Sequence, residues 1–293
     1  MPSTPHLFGG DWTSEKLERV RKYLVAYATI MNRQKFRFAY VDAFAGTGYR
    51  TTARVQASSS ILSPELLEDE PQEFLDGSAR IALQVRPRFH KYIFIEQSSK
   101  RFAELEKLKL EFPELAEDIL LENTDANSYL KDLCLNRNWK TRRAVLFLDP
   151  YGMQVTWDVI EAIASTRAID LWILFPHGVA VNRMMTKDGK INAAWRRKLN
   201  MIFGETAWFN EFYQVRTETD LFGAKTSLEK VGNLHSIGQY FVKRLKTVFA
   251  GVVENPRPLY NSRNIPLYLL CFASGNPKGA PTAIKIAEDI LMR

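Results

Sequence analysis

Cysteine and histidine are scarce in this chain and long apolar runs are missing, and each shortage removes a class of explanation. Cys134 and Cys271 are the only cysteines in 293 residues. Each lies within an apolar stretch and neither belongs to a CxxC pair, which argues against a disulfide framework or a zinc knuckle and marks both as core thiols. The four histidines, His6, His90, His177 and His235, show no HExxH or paired-ligand spacing, so no metal site is expected. No segment approaches the roughly 20 apolar residues that span a bilayer. The opening MPSTPHLFGGDW has neither the basic nor the apolar region of a secretory signal, and a cytoplasmic location with no membrane role is expected.

What is present is an ordinary globular composition, 46% hydrophobic and 25% charged, which can repay the entropy of folding. One elaborated domain over 1–293 is expected, with insertions at 49–76 and 177–231. The net charge of +7 and pI near 9.3 favour a polyanionic partner, although a mildly basic surface also serves solubility.

Apolar runs bounded by turn signals predict seven strands, at 38–44, 91–95, 118–122, 144–148, 170–175, 247–253 and 266–273. Helical periodicity fills most of the gaps, at 13–31, 78–85, 98–112, 126–137, 157–166 and 234–246. This alternation predicts an α/β fold: a mostly parallel sheet with helices on both faces. Only 254–265, with Pro256, Pro258 and an Asn-Ser-Arg-Asn run, separates the last two strands. It is too short and proline-rich for a crossover helix, so they are expected to form an antiparallel hairpin. Five parallel strands followed by such a hairpin is the Rossmann-like pattern of class I methyltransferases.

The chemistry-bearing residues fall at predicted strand ends. The first strand runs into Asp42-Ala43-Phe44-Ala45-Gly46-Thr47-Gly48, where glycines let a backbone approach a ligand closely. The third glycine of a dinucleotide fingerprint is absent because Thr51 holds its place, which argues against NAD. Asp42, flanked by core residues, needs a partner that a cationic or hydrogen-bonding ligand would supply; a turn carboxylate is the plainer reading. Glu96 ends the second strand, where an acid can accept both ribose hydroxyls of an adenosine. Asp125 follows the third strand and could accept an adenine amino group while capping the next helix.

The fourth strand delivers Asp149-Pro150-Tyr151-Gly152. An aromatic amino group is hard to methylate because its lone pair is delocalised into the ring. A carboxylate at Asp149 and the Pro150 carbonyl can accept its two protons while Tyr151 stacks on the base. Methylation at cytosine C5 would need a cysteine nucleophile, and none is near Asp149. Asp42, Glu96, Asp125 and Asp149 thus share the carboxyl ends of four successive strands, the ligand crevice of an open α/β sheet.

These motifs carry a resemblance. The helix around Trp12 and 16–27, YVDAFAGTG, GSARIAL, FIEQ, FLDPYGM, LWILFP and YLLCFAS resemble the three-Cys-motif partner family, a class I methyltransferase-like group. The resemblance implies an S-adenosylmethionine site at Asp42, Phe44, Ala45, Gly46 and Gly48, at Glu96 with Gln97, and at Asp125 with Ala126. It also implies a partner protein of the three-Cys-motif, radical-cofactor type. Asp-Pro-Tyr-Gly is similar to the Asp-Pro-Phe-Gly of tRNA guanine-N2 methyltransferases and, with one proline fewer, to the Asp-Pro-Pro-Tyr of adenine-N6 enzymes.

The basic segment Arg183, Lys187, Lys190, Arg196, Arg197 and Lys198, with Trp195, Trp208, Phe209, Phe212 and Tyr213 interleaved or following, is the candidate nucleic-acid surface. Its cations would hold phosphates and its aromatics would stack on bases; a packed aromatic helix face would look the same in sequence. The expected function is S-adenosylmethionine-dependent methylation of an exocyclic amino group in RNA or DNA. A non-catalytic cofactor-binding scaffold and a protein methyltransferase are the competing readings. A nicotinamide oxidoreductase fits less well, lacking the glycine fingerprint and a Tyr-x-x-x-Lys pair.

Overall fold

The computed structural model describes residues 12–47, 49–50, 75–150, 152–220 and 223–293. Helix α1 (Trp12–Met31) carries Leu17, Val20, Tyr23, Leu24 and Tyr27 at three- and four-residue spacing, and that stripe is buried. Strand β1 (Arg37–Asp42) follows, then the two-residue strands β2 (Tyr49–Arg50) and β3 (Leu75–Asp76), which pair with each other. Next come α2 (Ser78–Gln84), β4 (Lys91–Ile95), α3 (Ser99–Leu105), α4 (Leu108–Glu111) and β5 (Ile119–Glu122). The second half continues with α5 (Ala126–Asn136), β6 (Arg142–Leu148), α6 (Trp157–Ser165) and β7 (Ile169–Phe175).

After β7 a π-helical turn, His177–Val181, leads into α7 (Asn182–Met184), α8 (Ala193–Phe203) and α9 (Trp208–Phe212). A ribbon of β8 (Tyr213–Asp220) and β9 (Gly223–Lys230) precedes α10 (Leu234–Lys246). The chain closes with β10 (Gly251–Val252), β11 (Arg257–Tyr260), β12 (Pro266–Ser274) and α11 (Ala280–Met292).

The main sheet runs β10-β12-β7-β6-β1-β4-β5, with β11 also on β12. The strands from β5 to β7 are parallel and β12 is antiparallel to β7. This is the Rossmann-like α/β sheet, mostly parallel with an antiparallel strand at one end, that the alternation predicts. From β1 the chain builds outward through β4 to β5 and then returns to place β6 on the other side of β1. The topological switch point, where open sheets bind ligands, therefore lies between the carboxyl ends of β1 and β6. Two apolar layers cover the sheet. One includes α1, α2 and α11 with Tyr23, Trp172 and Phe272; the other includes α5, α6, α8 and α10 with Trp157, Phe175 and Phe241. Cys134 and Cys271 are buried in these layers, and desolvation pushes the Cys134 thiol up to about 12, as befits core residues.

Four features differ from the sequence expectation. The helix at 98–112 is two, because backbone bonds tighten to the i−3 pattern at Lys107, Lys109 and Leu110. The strand at 247–253 shrinks to β10, and the edge resumes as β11 inside the proline-rich stretch. Pro258 is tolerated there because only one side of an edge strand must pair. The excursion 177–231 contains the ribbon β8–β9 beside its short helices; in β8 Tyr213, Val215 and Thr217 alternate with Gln214, Arg216 and Glu218, a period-two pattern with too few apolar residues to stand out. Helix α11 was not anticipated. It packs against α1 and β12.

Asp170, at the start of β7, joins three elements. It accepts hydrogen bonds from Tyr23 Oη of α1 at 2.7 Å and from Ser274 Oγ of β12 at 2.6 Å. Burial outweighs these bonds and pushes its carboxyl up to about 6. The native state therefore holds a proton that the unfolded chain releases near pH 4, and the associated stability is present below that pH and lost as pH rises through about 6. An Asp170→Asn variant should escape that loss. In urea unfolding, its stability relative to the parent should improve by on the order of 3 kcal/mol between pH 4 and 7; a pH-independent difference would refute the burial argument.

Candidate active site

The crevice is assembled from the loops that leave β1, β4, β5 and β6. The loop after β1 is fixed by backbone bonds from Ala43 N to Phe147 O at 3.2 Å and from Ala45 N to Ile95 O at 3.0 Å. Gly46 takes φ +62°, a left-handed conformation suited to glycine, and among the described residues nothing stands within 4 Å of a Cβ built there. The glycine thus serves the turn. Gly48 lies outside the described residues.

Asp42 is fully buried at the end of β1. Its Oδ1 accepts from Phe44 N at 3.3 Å and its Oδ2 from Tyr40 Oη at 3.2 Å. Desolvation, reinforced by the nearby Asp149 charge and opposed by these bonds and one from Ser78, pushes its carboxyl up to about 6. Among the described residues no cation pairs with it.

Glu96 is 4% exposed. Its Oε2 accepts from Gly46 N at 3.1 Å, and its Oε1 accepts from Ser98 N and Arg101 Nη2, both at 2.7 Å. Glu96 thereby ties the glycine loop to the end of β4. Three of its roughly four acceptor positions are filled, which leaves room for one further donor without rearrangement rather than the two ribose hydroxyls expected. Exposed Gln97 and the Glu96 carbonyl both receive Asn123 Nδ2, at 3.2 and 2.7 Å.

Asp125 caps α5, accepting from Ser128 N at 2.9 Å and Ser128 Oγ at 3.0 Å through Oδ1, with buried Ala126 beginning the helix. The capping role is realised; the second carboxylate oxygen has no partner among the described residues. Asn127 clamps the far loop, donating to Gln154 O at 2.9 Å and accepting from Thr156 N at 3.1 Å.

Asp149 and buried Pro150 leave β6 beside Asp42, since Asp42 and Phe147 are register partners. Tyr151 lies outside the described residues. Asp149 is already engaged: the Lys16 ammonium of α1 forms a short ion pair with its Oδ2. Lys16 is 4% exposed and lies 4.8 Å from the centre of the Trp12 ring, which stacks on Tyr268 at 5.1 Å. Lys16 was missed as a site residue, along with Arg101, Asn123 and Asn127. Its signal was in the sequence, because it occupies a core-facing position four residues before Val20, where a charge needs a buried partner.

Arg183, Lys187, Lys190, Arg196 and Arg197 are exposed and Lys198 is partly buried, so the cations face solvent as expected. The aromatic half of the expectation is corrected. Trp208 and Phe212 are buried and packed with Phe203 and Tyr240, because the short α9 needs an apolar face to hold it, and Tyr213, which opens β8, is 4% exposed. Phe209 is covered by the Arg196 guanidinium at 4.3 Å and stacks on Tyr213.

No protein-family model and no curated protein matches the chain. Among solved structures, it is similar to a protein from Legionella pneumophila at 14% identity and TM-score 0.49, over 98% of this chain and 93% of that one. It is also similar to Trm1 from Pyrococcus horikoshii in complex with S-adenosyl-L-methionine, at 13% identity and TM-score 0.41, over 96% and 61% of the two chains. An S-adenosylmethionine-dependent methyltransferase from Clostridium acetobutylicum is a third, at 10% identity and TM-score 0.39, over 88% and 91%. At these scores the chemistry rests on the residues of this crevice alone.

Removing one member of a buried ion pair strands the other, which costs about 3 kcal/mol. Lys16→Met should lower the urea midpoint accordingly, and adding Asp149→Asn should recover at least half of the loss. Equal stability of the single variant and the parent would show that the pair is not formed in solution.

Proposed function

We propose that the protein is an S-adenosylmethionine-dependent methyltransferase acting on an exocyclic amino group of a nucleic-acid base. The observation that carries this reading is the convergence of Asp42, Glu96 and Asp149 at the switch point, with Asp42 buried and lacking a cation among the described residues. A buried carboxylate held near neutrality suits a ligand bearing positive charge. Among the described residues nothing stands within 4 Å of a Cβ at Gly46, which suits a ligand approached by backbone. Asp42, Phe44, Ala45 and Gly46 would hold the cofactor's amino-acid part, and Glu96 with Gln97 its ribose. Asp125, through its unpartnered oxygen, would take the adenine amino group beside Ala126. Gly48 is assigned to the same loop. When bound, the cofactor supplies an electrophilic methyl group on a positively charged sulfur.

Asp149 and the Pro150 carbonyl are the acceptors for the two protons of the substrate amino group, and Tyr151 is assigned to stack on the base. Binding the amino group asks Asp149 to share its carboxylate with Lys16, whose ammonium supplies the countercharge while the free oxygen turns to the substrate. The exposed cations at Arg183, Lys187, Lys190, Arg196 and Arg197, with Lys198, would contact phosphates.

The Lys16 pair also favours a second reading. An Asp149 permanently engaged by Lys16 would leave a cofactor-binding scaffold for a three-Cys-motif, radical-type protein. Asp149→Asn separates the two. An enzyme should transfer labelled methyl groups from S-adenosylmethionine to RNA or DNA about a hundredfold or more slowly after this change while binding the cofactor as before. Absence of transfer by the parent, with partner binding unaffected by the substitution, would favour the scaffold.

A further inference from the structure

At the opposite end of the sheet, where the parallel strands begin, a cleft of about 280 Å³ opens beneath α5. Its cations come from three adjacent strand starts. Arg37 opens β1, Lys91 opens β4 and Arg142 opens β6. Arg37 and Arg142 are register partners on neighbouring strands, as are Ala39 and Lys91, so the three side chains issue from one face. Arg137, at the end of α5, closes the rim.

Lys91 is satisfied by Asp118 at 2.9 Å. Arg37, Arg137 and Arg142 are exposed and have no carboxylate or hydrogen-bond partner for their side chains among the described residues. Like charges placed side by side across a strand pair repel and cost stability. Among the described residues neither the Arg37 nor the Arg142 guanidinium packs on a ring or meets a carboxylate, so their repulsion is not offset there. The floor between them is apolar, with Trp139 and the 40% exposed Leu120. Unpaired guanidinium groups around an apolar, aromatic-bearing cleft match a ligand that combines phosphate charge with a flat ring.

We propose that this cleft is a second nucleic-acid contact, in which Arg37, Arg137 and Arg142 hold backbone phosphates while an unstacked base enters beside Trp139 and Leu120. This rests on the reading of the crevice as a nucleic-acid methyltransferase site, and it adds a statement about substrate size. The six residues of β1 separate the two ends by about 20 Å. A substrate touching both must therefore be a folded or extended polynucleotide, not a free nucleotide or a very short oligomer.

The test compares the parent with an Arg37→Gln/Arg142→Gln variant, using a fluorescein-labelled 24-nucleotide RNA hairpin, a labelled 5-nucleotide RNA and a labelled poly-glutamate peptide. The variant should bind the hairpin at least tenfold more weakly, with a salt dependence reduced by roughly 1.5 in log–log slope, as expected for two lost phosphate contacts. Its thermal midpoint without ligand should be equal or higher because the repulsion is gone, which also establishes that it folds. The 5-nucleotide RNA should bind the parent at least tenfold more weakly than the hairpin. Unchanged hairpin affinity and salt slope in the variant would overturn the proposal even if the protein methylates RNA. Loss of poly-glutamate binding with hairpin binding intact would overturn it in favour of an acidic peptide. Hairpin binding through these arginines without any methyl transfer would leave the cleft standing and remove the methyltransferase reading instead.

Discussion

The ion pair between Lys16 and Asp149 is the contact around which the upper end of the molecule is organised. It joins the second turn of α1 to the loop leaving β6, residues 133 positions apart, and it supplies a positive charge to Asp149, which neighbours Asp42. Asp42 lies next to it, buried and pushed up to about 6 by desolvation and by Asp149. Without Lys16 the crest would hold two adjacent acids in a low-dielectric setting, the arrangement that interiors tolerate least. Farther along α1, Tyr23 reaches Asp170, so the same helix that supplies the countercharge is also anchored to β7 and, through Ser274, to β12.

Topology explains why these acids meet. A chain that builds β1, β4 and β5 outward and then returns with β6 leaves a gap at its point of reversal, and the loops on either side of that gap begin at Asp42 and Asp149. Glu96 then performs a structural task, receiving the Gly46 amide, before it can perform a ligand-binding one. The same holds for Asp125, which caps α5. Asp42, Glu96 and Asp125 are each held in place by the fold through part of the side chain, and such preorganisation reduces what a ligand must spend on ordering its site.

Much of this was legible in the sequence because the period of apolar residues and the position of turn residues are local signals. The parallel core, the reversed β12 and the location of Asp42, Glu96, Asp125 and Asp149 at strand ends all follow from runs such as Ala144-Val145-Leu146-Phe147-Leu148 ending in Asp149. What was not legible was nonlocal or unpatterned. The partnership of Lys16 with Asp149 crosses 133 positions. The ribbon β8–β9 has few apolar residues, and the alternation of Tyr213 and Val215 with Gln214 and Arg216 is too short to announce a strand. Trp208 and Phe212 look identical in sequence whether they stack on a base or on Phe203 and Tyr240, and only packing decides. Arg37 is far from Arg137 and Arg142 in the chain and becomes the neighbour of Arg142 only because β1 and β6 pair.

The proposed function requires a cationic ligand in the crevice beside Asp42. Calorimetric titration with S-adenosylmethionine, on the parent and on Asp42→Asn at pH 7.5 and at pH 5, addresses this directly. The parent should bind at micromolar concentration at pH 7.5 and more weakly at pH 5, where Asp42 takes up its proton, and the variant should bind weakly at both. Absence of binding by the parent, or equal affinity in parent and variant at both pH values, would contradict it.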